Sequence, residues 1–376
     1  MRVSKGSFNV PNMIKLIRTN ILLIFIFLSA YPCIAQDSTS NPLYFSLKSQ
    51  YGFIIPHSPS IRSISDFNPY GFEAETGWYL KSQKDWERCN CYSRAGFSLL
   101  HINYNAPHIL GSSTNLIAFA EPFFNYKGFV LTSIRMGVGA SYISKVYDAE
   151  TNPKNLYFSS PLSFLVHIDL NLTKFITDQW FLNAYFKYNH ISNGGIEKPN
   201  KGMNFPTYGV GIGYSFNPVN FKTREKSDME KPIPVKPSVQ AFGTLRGAET
   251  DEEVSERSPA VGFIVKARRL ITRINALNAG LEGTADYFVK EKMKQVDNPK
   301  DYRQISFLAG HDFVFGKFIF SQYWGTYLYA PYYEKKNFYQ RYSLTYQLFE
   351  NFNMGVTLKA HAEVAENFNL LLEYEF

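Results

Sequence analysis

The sequence has few charged residues, and most of its positive excess lies at the N-terminus. Charged residues make up 19% of the 376 residues, and the formal net charge is +7. Residues 1–36 contain four basic and no acidic residues, so the formal charge of the remainder falls by four, from +7 to +3. The charge of the remaining chain therefore does not indicate a nucleic-acid partner, because binding to nucleic acid needs a strongly basic protein surface.

Long apolar runs are scarce as well. Residues 1–36 combine basic residues, a short apolar core at 21–31 and small residues near Ala35 and Gln36, which is typical of a secretory signal peptide. After this segment no run of 18 consecutive apolar residues occurs. The sequence therefore excludes transmembrane helices, and any insertion into a membrane must use β-strands.

Cysteine is rare, and only Cys89 and Cys91 follow the predicted signal peptide. A disulfide between them is possible after export but would close a very small ring. A metal site would need further ligands, yet there is no other cysteine and no histidine nearby in the sequence. We therefore favour a turn with two thiols, and we expect neither a metal nor a cofactor.

Aromatic residues, by contrast, are abundant, with 33 Phe and 26 Tyr. Many lie in segments of about ten residues where apolar and polar side chains alternate, which is typical of strands that show one face to lipid and the other to water. Residues 163–173, 208–216 and 368–376 all follow this pattern. The predicted fold class is all-β, in the form of an antiparallel transmembrane β-barrel.

A charged segment with several prolines, residues 217–237, interrupts the strands and reads as a linker. It separates residues 43–216 from residues 238–376, and each part contains about eight predicted strands, the number of the smallest common barrels. We predict an eight-stranded barrel in the first part. The length of the linker favours a second barrel in the second part over a single barrel of sixteen strands.

The two parts also show a weak internal similarity. Two glycines stand nine residues apart in each part, followed by a strand, a turn and a strand that carries a histidine. If this similarity reflects a duplication, His361 corresponds to His190, and Glu363 takes the position of Ser192. The second part would then lack a nucleophile.

The strand predicted at 180–192 ends with His190 and Ser192 on one face. Residues two apart on a strand share a face, and here they share the apolar face with Trp180 and Tyr188. The loops near this end of the barrel are longer than the turns at the opposite end, which places the pair at the outer leaflet of an outer membrane. A histidine so close to a serine can act as its general base.

The longer segment HISNGGIEKPNKGMN, residues 190–204, resembles the motif of the outer-membrane lipid A 3-O-deacylases of the PagL type, a family of acyloxyacyl hydrolases. The matching residues are His190, Ser192, Asn193, Gly195, Pro199, Asn200 and Gly202. The resemblance covers residues 43–216. It implies an eight-stranded barrel whose site lies on the lipid-facing outer wall.

The resemblance also implies roles for individual residues. His190 would be the base and Ser192 the nucleophile, while the Asn193 side chain and a backbone N–H near Gly195 would form the oxyanion hole. Donors on a glycine-rich turn can approach an oxyanion closely. The other matching residues, Pro199, Asn200 and Gly202, are expected to shape the loop.

One position departs from the family motif. The third catalytic residue of the family is a glutamate, and the corresponding residue here is Asn204. An asparagine can hold the imidazole tautomer but cannot stabilise the imidazolium charge as a carboxylate does. Glu197 is the alternative orienting residue, and the spacing favours Asn204.

We therefore expect an outer-membrane esterase that removes an ester-linked acyl chain from lipid A in lipopolysaccharide. Lys198 and Lys201 could contact lipid A phosphates, although solvated loop charges are the simpler interpretation. The alternative is a non-enzymatic outer-membrane barrel, either structural or a small pore. A soluble β-sandwich that binds carbohydrate is weaker, since its strands need no aromatic girdles.

Overall fold

The strands of the chain close into two antiparallel β-barrels of eight strands each. The computed structural model describes residues 41–194, 197–226, 233–246, 258–294, 299–333, 337–361 and 364–376. The predicted signal peptide, residues 1–36, lies outside the described residues. The predicted all-β barrel fold is confirmed, and the strands form two barrels rather than one barrel of sixteen strands.

In the first barrel every strand pairs with its sequence neighbours, and β1 pairs with β8 to close the ring. A short helix, α1 (Gln83–Cys89), follows β2. The strands are β1 (Leu43–Gly52), β2 (Tyr70–Leu80), β3 (Ser93–Ala106), β4 (Gly111–Asn125), β5 (Leu131–Ile143), β6 (Leu162–Phe175), β7 (Trp180–Ser192) and β8 (Met203–Ser215).

The second barrel repeats this arrangement, with β9 and β16 closing the ring. A second short helix, α2 (Tyr287–Met293), follows β11. Its strands are β9 (Val235–Arg246), β10 (Ser258–Leu270), β11 (Asn275–Asp286), β12 (Arg303–Phe315), β13 (Phe318–Tyr329), β14 (Phe338–Phe349), β15 (Phe352–His361) and β16 (Val364–Glu375). Within the described ranges, no helix is both long enough and apolar enough to cross a membrane.

The lumen of the first barrel is filled by charged side chains that pair with one another. Arg135 lies 2.6 Å from Glu121, and Arg94 lies 2.8 Å from the same carboxylate. Lys187 lies 2.8 Å from Glu73. Alternation along the strands directs these side chains into the lumen. Because burying an unpaired charge is costly, they pair with one another there.

Aromatic side chains close the end of the first lumen that carries α1. Trp86 on this helix and Tyr92 are both buried there. The Trp86 indole N–H donates to the backbone oxygen of Glu225 at 3.1 Å, and the Tyr92 hydroxyl donates to the backbone oxygen of Lys222 at 2.8 Å. The chain that leaves β8 therefore packs beneath its own barrel before the second barrel begins.

External loops close the other end of the first lumen. Tyr157 and Phe158, from the loop between β5 and β6, pack against the buried residues Tyr104 and Ile191. Burial raises the pKa of the Tyr157 phenol, whose oxygen lies 2.7 Å from Ser65 Oγ. Along the residues that the structure describes, both ends of this lumen are capped, which argues against a water-filled pore through the first barrel.

Cys89 and Cys91 are joined by a disulfide at the end of α1, so the prediction of two free thiols is wrong. Asn90 between them adopts a left-handed backbone conformation with φ 52°. This sharp turn brings the two α-carbons to 5.1 Å, within the usual range for a disulfide.

The lumen of the second barrel is filled in the same manner. Arg341 lies 2.6 Å from Glu282, and Lys266 lies 3.0 Å from Glu373. His361, at the end of β15, also faces this lumen and is buried. The duplication hypothesis would make His361 equivalent to His190, whose side chain is predicted to face outward, so this equivalence is wrong. Glu363 lies outside the described residues.

Candidate functional site

The motif residues lie where β7 ends and β8 begins. Lys187, Asn189 and Ile191 on β7 are buried in the lumen, so His190 and Ser192 between and beyond them face outward. The strand register pairs His190 with Asn204 on β8. The structure therefore places all three predicted catalytic residues on the outer wall, at the end of the barrel that carries the longer loops.

The His190 imidazole is held by Asn204. Its Nδ1 atom lies 2.6 Å from Asn204 Oδ1. Since an amide oxygen only accepts, Nδ1 carries the hydrogen, and Nε2 of the neutral ring is left as an acceptor for a proton. The structure thus brings His190 together with Asn204, and the Nδ1 atom is not directed at Glu197.

Ser192 lies beside the histidine. Its Oγ atom accepts a hydrogen bond from the backbone N–H of Gly194 at 3.4 Å. Among the described contacts no hydrogen bond joins Ser192 to His190. In enzymes without bound substrate such catalytic hydrogen bonds are often long and tighten only in the reacting complex.

Gly202 shows how near to each other the two side chains are. A Cβ atom at this residue would lie 3.0 Å from His190 Cε1 and 3.1 Å from Ser192 Cβ. Both side chains therefore approach the same point. The distance between His190 Cε1 and Ser192 Cβ can be no larger than the sum of these two distances. The backbone of Gly202 has φ +66°, so glycine is favoured here for conformation as well as for space.

Asn193, predicted for the oxyanion hole, is buried and ties the loop together. Its Nδ2 group donates to Ser159 Oγ at 3.0 Å and to the backbone oxygen of Glu197 at 2.9 Å. In this arrangement both amide hydrogens are directed at the loops. The backbone N–H of Gly194 is the donor that points at Ser192, and Gly195 lies outside the described residues.

The remaining motif residues lie in the loop between β7 and β8. Asn200 Oδ1 accepts from the backbone N–H of Asn193 at 3.4 Å, which bridges the two arms of the loop. Pro199 is half-buried in this loop, and Lys198 and Lys201 are exposed on it. The described part of the loop therefore presents two lysines to solvent.

Contacts from distant parts of the chain support this loop. His57, from the loop after β1, donates through Nε2 to the backbone oxygen of Lys201 at 2.9 Å. The backbone N–H of Lys201 donates to the oxygen of Leu156 at 3.0 Å. Sequence reasoning missed His57, Ser159 and Gly194. The first two lie far from the motif in sequence, while Gly194 could have been found inside the glycine-rich turn.

The surroundings of the pair are apolar. Across the β6–β7 register, Phe164 faces Ser192 and Val166 faces His190. Val166 is 44% exposed on the outer wall. No group of three or more His, Cys, Asp or Glu side chains in the described part of the chain could hold a metal ion. The arrangement places a base, a hydroxyl and a backbone N–H donor beside an apolar surface. Acyl transfer by a serine uses these three groups as the general base, the nucleophile and an oxyanion donor.

Together, the fold and the site define an outer-wall His/Ser pair on a β-barrel. The family model for lipid A 3-O-deacylase (PagL) matches residues 70–216, and the model for the acyloxyacyl hydrolase C-terminal domain matches residues 238–376. Residues 70–216 are thus similar to the PagL family of lipid A 3-O-deacylases, as the motif predicted. Family and barrel fold together indicate an outer-membrane protein.

Solved structures show distant likenesses. The neisserial surface protein A (NspA) is 11% identical over 46% of this chain and 97% of its own, with a TM-score of 0.33. The outer membrane enzyme PagL is 14% identical over 44% of this chain and 97% of its own, with a TM-score of 0.32. None of the curated proteins matches the chain.

Proposed function

We propose that the chain is an outer-membrane esterase that hydrolyses an ester-linked acyl chain of lipid A by a Ser–His mechanism. The observation that carries this proposal is the 2.6 Å hydrogen bond from His190 Nδ1 to Asn204, on the outward face and beside Ser192. It orients the imidazole so that Nε2 is a proton acceptor. The family of residues 70–216 supplies the substrate class.

In the first half of the reaction, Ser192 Oγ attacks the ester carbonyl carbon while His190 Nε2 accepts the hydroxyl proton. The carbonyl oxygen becomes an oxyanion, which the backbone N–H of Gly194 is close enough to stabilise. The tetrahedral intermediate then breaks its bond to the sugar oxygen. That oxygen takes the proton from His190 and leaves as an alcohol, and the acyl group stays on Ser192.

In the second half, water attacks the acyl-enzyme and gives one proton to His190. The bond between the acyl carbon and Ser192 Oγ breaks, and Oγ takes the proton back from His190. The products are a free fatty acid and the serine in its original state.

The position of the site fits a substrate in the outer leaflet. The pair faces outward at the end of the barrel with the longer loops, and apolar side chains such as Val166 surround it. An acyl chain can therefore lie along the outer wall while the sugar stays at the level of the loops. Lys198 and Lys201 are exposed there, where lipid A phosphates would be.

The alternative is a barrel without enzymatic activity. It would be structural or a small pore, and the capped and filled lumen of the first barrel disfavours a pore through that barrel. Mass analysis of lipid A from cells that express the protein separates the two functions. We expect the wild type to remove one hydroxyacyl mass and Ser192→Ala, extracted as a folded barrel, to remove none. Unchanged lipid A in cells that express the wild type would favour the barrel without enzymatic activity.

A further inference from the structure

Phe368 brings the second barrel into contact with the site of the first barrel. Both barrels lie in one compact unit, residues 41–376. Phe368 on β16 stacks on Phe164 of β6, with ring centroids 4.6 Å apart and an interplanar angle of 25°. Phe368 is half-buried, whereas Leu370, the next outward residue on the same strand, is 64% exposed. The contact is therefore confined to the outer end of β16.

Phe368 also packs on the turn after the nucleophile. A Cβ atom at Gly194 would lie 2.4 Å from Phe368 Cβ, so the two backbones approach closely at this point. Gly194 is the residue whose backbone N–H points at Ser192 Oγ. The phenyl group from the second barrel thus lies against the same residue that supplies the candidate oxyanion donor.

Phe164, the other half of the stacked pair, is the direct register partner of Ser192 across β6 and β7. The two phenyl rings therefore stand on one side of the nucleophile, at its own level in the membrane. On this side there is no room for even a methyl group at Gly194. A bound acyl group must leave Ser192 in another direction.

We propose that Phe368 and Phe164 form an aromatic wall that confines the acyl carbons next to the scissile carbonyl, so that the second barrel sets the acyl specificity of the first. This inference rests on the proposed function. Lipid tails are as apolar as a phenyl ring, so in a membrane such a wall acts by shape and not by hydrophobic transfer. It admits acyl groups that carry no branch at the carbon bonded to the carbonyl and rejects groups with a methyl branch at that carbon.

The test uses the full-length protein in detergent and p-nitrophenyl esters of an unbranched and a 2-methyl-branched acyl chain. We expect the wild type to prefer the unbranched ester, and Phe368→Ala to reduce this preference about tenfold, the lower end of what one misplaced methylene costs in a shaped pocket. Leu370→Ala, on the same face of the same strand, is the matched control and should leave the preference unchanged.

Failure of this inference differs from failure of the proposed function. If the wild type hydrolyses neither ester and does not alter lipid A, the esterase itself is wrong. If Ser192-dependent hydrolysis is present but Phe368→Ala keeps the wild-type preference, the aromatic wall is wrong. A Phe368→Ala protein that is active on the unbranched ester is folded, so a lost barrel cannot imitate the predicted result.

A second measurement tests the contact without using activity. Cysteines placed at Phe164 and Phe368 should be joined by a short thiol cross-linker in outer membranes. Cysteines at Phe164 and Ile305 should not, because β12 stands four strands away from β16 around the second barrel. Absence of a cross-link in the first pair would overturn the proposal.

Discussion

The two barrels share strand number, strand order and a lumen of paired charges, yet their seventh strands differ in what they do with a histidine. On β7, His190 faces outward and is bonded to Asn204. On β15, His361 faces the lumen, where its Nε2 atom lies 2.9 Å from the Tyr327 hydroxyl and its Nδ1 atom lies 3.2 Å from Glu366. A histidine that belongs to a buried network stabilises a barrel, whereas one on the outer wall is available to a lipid.

The comparison predicts its largest effect on activity at His190 and Ser192 of the first barrel, and no comparable effect at His361 of the second. His190→Ala or Ser192→Ala should lower the rate of lipid A deacylation by about a thousandfold or more, because base and nucleophile act as a unit. The rate is measured as fatty acid released from lipopolysaccharide. His361→Ala is the matched control in the second barrel, and an equal loss in that variant would contradict the assignment of the chemistry to the first barrel.

Breaking a lumen network should give the next largest effect, on stability. Arg135→Ala leaves the buried carboxylates of Glu75 and Glu121 without their shared partner, which we expect to cost about 3–5 kcal/mol. Unfolding by denaturant in detergent micelles measures this loss. The control is Lys294→Ala, which breaks an exposed pair with Glu291 on α2 and should cost less than about 1 kcal/mol. Similar losses in the two variants would show that burial is not what makes the lumen pairs matter.

A methyl group beside the catalytic pair should reduce activity without removing it. Gly202→Ala places a Cβ atom about 3 Å from both side chains and forces alanine into a left-handed conformation. We expect deacylation to fall about tenfold to a hundredfold. Gly243→Ala on β9 is the control, since its Cβ would make only ordinary contacts at 3.4 Å and beyond. Wild-type activity in Gly202→Ala would mean that His190 and Ser192 do not meet at this point.

The smallest predicted effect is a gain. Asn204→Asp keeps the length of the side chain and adds a carboxylate, which stabilises the imidazolium formed during catalysis. We expect the rate to rise about tenfold, equivalent to about 1.4 kcal/mol. Steady-state hydrolysis of a p-nitrophenyl ester measures it. If instead Asn204→Ala keeps full activity and Glu197→Ala loses it, Glu197 is the orienting residue.

Much of this site could be predicted because a strand has only two faces. Alternation along β7 fixes that His190 and Ser192 point outward once Lys187 and Asn189 are assigned to the lumen. The same rule applied to β15 would have shown that His361 shares the lumen face with Thr357 and Lys359. The spacing in the motif favoured Asn204 as the residue that orients His190, and the strand register pairs these two residues.

Other features depend on contacts that no local pattern encodes. Phe368 reaches Gly194 only because the two barrels meet at the outer end of β16, and His57 reaches Lys201 from another loop. The sequence favoured two free thiols over the disulfide because the left-handed turn at Asn90, which makes the disulfide possible, is not evident from the residues Cys-Asn-Cys alone. The motif predicts that the Asn193 side chain is an oxyanion donor, but its amide hydrogens are directed to Ser159 Oγ and the backbone oxygen of Glu197.

The most direct test of a reactive serine on the outer wall is covalent labelling with a lipophilic fluorophosphonate, followed by peptide mass mapping. Nucleophilic attack by an activated serine attaches the phosphonyl group to its oxygen. We predict a single adduct on Ser192 in the wild type, much slower labelling in His190→Ala and unchanged labelling in His361→Ala. Labelling that persists in Ser192→Ala, or a folded wild-type protein that is never labelled at Ser192, would contradict the account.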